Sequence, residues 1–317
     1  MSKKILLSGV KPTGRPHIGN YFGAMKQFVD LQDEYSALYM IADYHGLNFI
    51  QDGPDMKQQI LDLTLDYLAI GLDPKKSIIF KQSDVSEHTE LAWVFDTITT
   101  MPYLMRAHAY KDAEAKDKEI SVGTFNYPML MAADILLYDV DLVPVGQDQK
   151  QHVEYTRDTA QKFNHTFKSD VFKLPDVKII ESVAVVPGTD GQKMSKSYGN
   201  TIPLFATDAE IEKAVMSIVT DSGSDIPANV YAIHKLLKTE EELAPLYEAN
   251  KGKYKALKEA LIEDLKAFIG PMRERREQLA QDMDNVLEIL QEGGKRAKAK
   301  AEKKMDEVRE AIGVKLY

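Results

Sequence analysis

The chain has 317 residues, 44 % hydrophobic and 28 % charged, with a formal net charge of −9 and no cysteine. That length allows two domains, one with a sizeable α/β core, and the missing cysteines exclude disulfides, thiolate catalysis and cysteine zinc sites together. The acidic balance argues against a general nucleic-acid coat protein, which needs clustered cations, and no run of about 18 apolar residues marks a membrane span.

The N-terminus enters an apolar run, Ile5-Leu6-Leu7, within a few residues, which leaves no room for a signal peptide and fits a cytoplasmic enzyme. Ser8-Gly9 follow, and then Pro12-Thr13-Gly14-Arg15-Pro16-His17-Ile18-Gly19-Asn20, a Gly/Pro turn leading into a helical pattern. A strand, a tight turn and a helix start present free backbone N–H groups and a helix dipole, a setting that favours a polyphosphate. Further apolar runs at 38–42, 78–80, 142–145 and 183–186 alternate with helical periodicity at 56–70 and 90–99. Such alternation reads as a parallel sheet with crossover helices, whose ligand site lies at the carboxyl ends of the strands. Ser8-Gly9, Asp43-Tyr44-His45 and Gly146-Gln147-Asp148-Gln149 all fall where strands are expected to end, so three strand ends should point polar groups into one crevice.

Farther along, Lys193-Met194-Ser195-Lys196-Ser197 offers two ammonium groups and two hydroxyls on a loop flanked by Gly188, Gly191 and Gly199. After about residue 206 the strand signal disappears. Residues 208–219, 230–237, 240–249, 254–281 and 284–290 read as helices, with breaks at 221–225 and at Gly270-Pro271. Glu292-Gly293-Gly294 should separate a last basic helix, 295–312. Its residues 295–304 carry six cations and one anion, either a solvated face or an RNA contact. Ala297, Ala301, Met305, Val308 and Ile312 form a stripe that should dock on the body and leave the cations exposed. The seven histidines are scattered without metal-ligand spacing, and no resident metal is expected.

Each signature segment has a plainer reading by itself: His17 as a helix-capping histidine, 193–197 as a solvated basic loop. Neither explains their co-occurrence, and the pair resembles the HIGH and KMSKS signatures of class I aminoacyl-tRNA synthetases. The stretch from Tyr127 to Tyr138, followed by Val143 to His152, is similar to the bacterial tryptophanyl branch of that class. Tyrosyl relatives carry Tyr-x3-Gln-x2-Asp on this helix, whereas here the pattern is Tyr127-x3-Met131-x2-Asp134, one helix face by its spacing. A phenol both donates and accepts, while indole has a single N–H donor. One acceptor, Asp134, and a polarisable apolar wall, Met131, therefore suit indole better.

The resemblance implies a Rossmann-like parallel-sheet catalytic domain (1–206), a helical anticodon-binding domain (207–291) and a C-terminal basic helix (292–317) packing back on the body. It also implies ATP-dependent activation of tryptophan and its transfer to tRNA(Trp), in a homodimer with segment 93–110 as the candidate interface and no separate editing domain. His17, Lys193 and Lys196 are the catalytic candidates. Lys11, Pro12, Thr13, Gly19, Asn20, Gly146, Gln147, Asp148, Val185, Met194, Ser195 and Ser197 join Lys193 and Lys196 in binding ATP, with Mg²⁺ carried by the substrate. Ser8, Gly9, His45, Tyr127, Met131, Asp134, Val143 and Gln149 would hold tryptophan. Lys11 stands where many members carry Gln, adding a full charge near the substrate carboxylate or the phosphates; Tyr44 and Gln147 also depart from the common pattern, and Tyr198-Gly199-Asn200 follow KMSKS. The alternatives are a tyrosyl enzyme, a small HxGH nucleotidyltransferase and an RNA-binding paralogue without catalysis.

Overall fold

The computed structural model describes residues 3–115, 119–145, 150–179, 185–220 and 225–317. Among the described residues, five parallel strands form one sheet in the order β3-β2-β1-β4-β5: β1 (Ile5–Val10), β2 (Ser36–Ile41), β3 (Ile78–Lys81), β4 (Leu142–Val145) and β5 (Asp176–Ile179). The chain winds outward from β1 to β3, then returns to the other side of β1 with β4. The direction of winding therefore reverses between β1 and β4, where open α/β sheets bind their ligands.

Two of the sequence expectations need correction here. β1 continues to Val10, so Ser8 and Gly9 lie inside the strand rather than beyond its end. The fifth described strand is Asp176–Ile179; of the expected run 183–186, Val185 and Val186 are not in a strand, and Val183 and Ala184 lie outside the described residues. Asp176-Val177-Lys178-Ile179 alternates polar and apolar residues, so it lacks the continuous apolar run that flags a strand buried on both faces.

Successive strand residues feed two apolar layers, as the period of two dictates. Leu6, Tyr39, Ile41 and Ile79 face one layer, with Ile18, Phe22, Leu65 and the helical third. Leu7, Leu38, Met40, Ile78 and Phe80 face the other, with Leu91, Phe95, Met129, Ala132 and Phe163.

The last helix joins both layers. Instead of two helices parted at Gly293-Gly294, one helix runs from Met283 to Ala311. Val286 and Leu290 pack in the first layer, Ala297, Ala301, Met305 and Val308 in the second. The glycines mark the crossing point: a Cβ on Gly293 would stand 1.7 Å from the carbonyl oxygen of Ile79, and one on Gly294 2.9 Å from an Asp84 carboxylate oxygen. They permit close approach to edge strand β3, which the helix covers, rather than a break. Lys304, expected on the exposed basic face, is instead 6 % exposed. It pairs with Asp139 and Glu307 and donates to the carbonyl of Val171.

Gly270-Pro271 likewise does not end its helix, which spans Tyr254–Leu279. Leu257, Leu261, Leu265 and Ile269 are all buried along one face, and this packing outweighs the local cost of the proline. Beyond it, Arg276 holds Asp66 at 2.6 Å and Asp62 at 2.7 Å on the Gly53–Ala69 helix. Among the described residues no helix is long and apolar enough to cross a membrane.

Candidate active site

At the carboxyl end of β1 the chain turns through Lys11 to Pro16 before starting a helix at Ile18. Gly14 sits at φ +84, a backbone region that disfavours a side chain, and its N–H donates to Gln59 Oε1 at 2.8 Å. Pro12 is buried beside Gly46. His17 is the N-cap: its Nδ1 accepts from the N–H of Asn20, while Asn20 Oδ1 accepts from the N–H of His17. Gly19 must be glycine for this, because a Cβ there would lie 2.9 Å from His17 Nδ1. Burial and, next, the charge of Lys196 lower the imidazole from 6.5 to about 4. At neutral pH the ring is uncharged, and because Nδ1 accepts, Nε2 carries the proton. The cap thus leaves Nε2–H as the ring's free donor.

The second signature segment folds against the first. Met194 is 4 % exposed, and its N–H donates to Val186 O at 2.9 Å. Lys196 opens a short 3-10 turn, Lys196–Tyr198, that closes on Gly199 at φ +65. Its Nζ donates to the carbonyls of Thr13 (2.7 Å) and Gly14 (2.8 Å), so one ammonium joins segments 182 and 183 residues apart. Burial lowers the Lys196 pKa, and Asp66 partly offsets this. Ser195 and Ser197 share a hydroxyl contact of 2.9 Å. Lys193 and Val185 are exposed, and both remain open to a nucleotide.

A different construction surrounds Asp134, which is 2 % exposed on the Val122–Leu136 helix. Its Oδ2 accepts from His45 Nε2 at 2.9 Å and its Oδ1 from Gln82 Nε2 at 2.7 Å. His88 Nδ1 lies 2.7 Å from Oδ1 but out of line for a hydrogen bond. The other His88 nitrogen, Nε2, is 2.8 Å from Tyr138 Oη. Burial alone would raise the carboxyl; the His45 bond and then the adjacent His88 overcome it and hold the pKa at about 2. Tyr127 stands edge-on to His45, ring centroids 6.3 Å apart, and burial raises its phenol. Met131 packs, half-buried, against the layer that contains Val143. Lys11 Nζ lies 4.3 Å over the Phe49 ring, and burial lowers its pKa.

The comparisons with known proteins fall on this geometry. Residues 2–291 match the family of class I tRNA synthetases for W and Y. The chain belongs to that family. It is 49 % identical over 316 residues to a tryptophan–tRNA ligase of Fusobacterium nucleatum, with 97 % of each chain covered. A crystal structure of tryptophanyl-tRNA synthetase from Campylobacter jejuni, complexed with ADP and tryptophan, superposes with a TM-score of 0.91 at 43 % identity, covering 98 % of this chain and 99 % of the other. That of Mycoplasma pneumoniae gives 0.86 at 31 % identity, with 99 % of each covered.

In this class I synthetase the two signature segments meet at Lys196, and His45, Tyr127 and Asp134 cluster at the other end. Ser8 and Gly9 lie on β1, Ser8 buried and Gly9 exposed. Gly146, Gln147, Asp148 and Gln149 lie outside the described residues. Met194 packs inward, which leaves Val185 as the more open of the two side chains assigned to adenine. Sequence reading missed Gln82 and His88, both fully buried. Gln82 opens the turn just after β3 and His88 lies in the Glu87–Ile98 helix; neither stands in a motif, and only knowledge of the strand order brings them to Asp134.

Proposed function

We propose that the chain is a tryptophan–tRNA ligase that activates L-tryptophan with ATP and transfers it to tRNA(Trp). The observation that carries the reading is the pairing of a neutral His17 and a Lys196-bridged loop at one end with a buried, ionised Asp134 at the other. The tryptophan carboxylate attacks the α-phosphorus of ATP and pyrophosphate leaves, so no protein nucleophile is required. Catalysis is the in-line placement of two anions and stabilisation of the charge that develops. His17 Nε2–H donates to the triphosphate. Lys196 has three N–H donors and spends two on Thr13 and Gly14, leaving one for the departing pyrophosphate beside Lys193. Mg²⁺ arrives with ATP and shares its phosphate charge. Thr13 and Ser195 supply hydroxyls, while Gly146, Gln147 and Asp148 hold the ribose.

A carboxylate has about four acceptor sites, and His45 and Gln82 bond to Asp134 at two of them. An indole N–H takes another, and Met131 with Val143 provides the apolar wall. His45, Gln149 and Lys11 orient the ammonium and carboxylate of the amino acid. The 2′-hydroxyl of the terminal adenosine of tRNA(Trp) then attacks the carbonyl carbon of the adenylate, losing its proton as the ester forms and AMP leaves. Exposed cations on the last helix, Lys295, Lys300 and Lys303 with half-buried Lys298, face the RNA. Trp93, Met101 and Val122 are at least 65 % exposed, and this apolar surface supports a homodimer; the enzyme acts in the cytoplasm. ATP–pyrophosphate exchange with each of the twenty amino acids tests the reading. Exchange driven by tryptophan supports it, exchange driven by tyrosine alone makes this a tyrosyl enzyme, and none at all makes it an inactive paralogue.

A further inference from the structure

Asn200 lies beyond the signature residues, yet it is 2 % exposed and its carboxamide is used at both ends. Oδ1 accepts from the N–H of Ser195 at 2.8 Å. Nδ2 donates to the carbonyl of Lys193 at 3.1 Å and to Asp190 Oδ1 at 2.7 Å. Its backbone carbonyl accepts from Thr189 N–H at 2.9 Å. The same Asp190 oxygen also accepts from Gln192 N–H at 3.0 Å. Gly188 makes room for the group, since a Cβ there would stand 2.3 Å from both Cγ and Nδ2 of Asn200. One planar group thus ties the entrance of the 188–200 turn to backbone atoms on either side of Met194.

We propose that Asn200 is a positioning residue: it fixes the shape of the 193–197 loop so that Lys193 and Lys196 meet the leaving pyrophosphate. The proposal rests on the activation reading above. The site calls for one acceptor and two donors from a single short side chain, which asparagine alone among the residues of its size supplies. Aspartate has no donor, and it would set a second carboxylate against Asp190 at the place of a 2.7 Å bond. Alanine leaves the N–H of Ser195 without its partner.

The test compares Asn200→Asp, Asn200→Ala and the double variant Asp190→Asn/Asn200→Asp, in which the new asparagine can donate to the new aspartate. Losing buried partners of this kind predicts a fall of about 10–100-fold in kcat for tryptophan-dependent ATP–pyrophosphate exchange in Asn200→Asp. Binding of radiolabelled tryptophan should stay within about twofold, because Asn200 touches nothing at the Asp134 end, and the double variant should regain about tenfold. Trypsin should cleave after Lys193 and Lys196 faster in Asn200→Asp than in the wild type, and more slowly again in the double variant. Wild-type kcat and cleavage rates in both single variants would overturn the proposal. So would losses of tryptophan binding and kcat in parallel with no rescue, which describe a general folding defect. A wild-type protein that exchanges with no amino acid would instead overturn the activation reading, and the cleavage series would still judge the Asn200 brace.

Discussion

The two ends of the candidate site are built in opposite ways. At the nucleotide end the two lysines, Lys193 and Lys196, are exposed, and the contacts run through main-chain groups: the Lys196 ammonium to two carbonyls, the N–H of Ser195 to the Asn200 carboxamide, and the buried, neutral His17 to the N–H of a helix start. Glycines at positive φ, Gly14, Gly191 and Gly199, shape the loops there. At the amino-acid end Gln82, His88 and Asp134 are buried and bond or face one another through side chains. Charge on a leaving phosphate is met by donors whose value lies in the transition state. A flat aromatic substrate is selected by an acceptor that is fixed before it arrives. In the proposed function the first end therefore governs rate and the second governs choice.

The largest expected effect is at the nucleotide end. Lys196→Ala should slow single-turnover activation at saturating ATP by about 10²-fold or more, comparable with the loss of an oxyanion donor, with little change in tryptophan binding. A variant with normal activation but weakened charging of tRNA would move Lys196 to the RNA surface and break the contrast.

Asp134→Asn should reduce discrimination of tryptophan over phenylalanine by roughly 10–100-fold, since a charged acceptor becomes a neutral amide. ATP affinity should change less. The variant should also lose about 1–3 kcal/mol of stability, measured by chemical denaturation, because buried donors from Gln82 and His45 lose their charged partner. Unchanged discrimination in pyrophosphate exchange would remove Asp134 from the specificity role.

Acid should separate the two ends. The His17 pKa is depressed from 6.5 to about 4, so its contribution is intact above 6.5 and is lost as pH falls through 4. For Asp134, depressed from 3.8 to about 2, the contribution is intact above 3.8 and is lost as pH falls through 2. An NMR titration should place the His17 midpoint near 4. A midpoint near 6.5 would mean that the cap and Lys196 do not hold the ring neutral.

The smallest effect concerns neither end. Lys295, Lys298 and Lys300 replaced together by glutamine should leave tryptophan activation unchanged and weaken tRNA binding. The salt slope of that binding should fall by about 0.7–0.9 for each phosphate that is no longer neutralised. Arg296 is kept in this variant because it donates to the carbonyl of Pro74, and Lys304 because it is buried. Equal affinity and slope would leave these cations as a solvated face.

How much of this was legible in the sequence differs between the same two regions. Motifs revealed the nucleotide end because phosphate recognition needs particular residues close together in the chain, as in 12–20 and 193–197. The amino-acid end was visible only through Tyr127, Met131 and Asp134, which share one helix face. Gln82 and His88 reach Asp134 through the strand order, which no local pattern encodes. Gly293-Gly294 differs for a related reason: a glycine pair suggests a break unless a neighbouring backbone needs the space, as that of Ile79 does here. Gly270-Pro271 was overruled by four buried leucine and isoleucine side chains on the same helix. The fifth strand escaped notice because Lys178 and Asp176 interrupt its apolar residues.

The most direct test measures single-turnover adenylate formation by Lys196→Ala and Asp134→Asn side by side, each with tryptophan, tyrosine and phenylalanine. Separate duties predict that Lys196→Ala slows activation of every amino acid it accepts by a similar factor and leaves the preference for tryptophan intact. Asp134→Asn should shift that preference while losing less rate at saturating ATP. If both variants lost rate and preference in the same proportion, the division between an end for rate and an end for choice would be wrong.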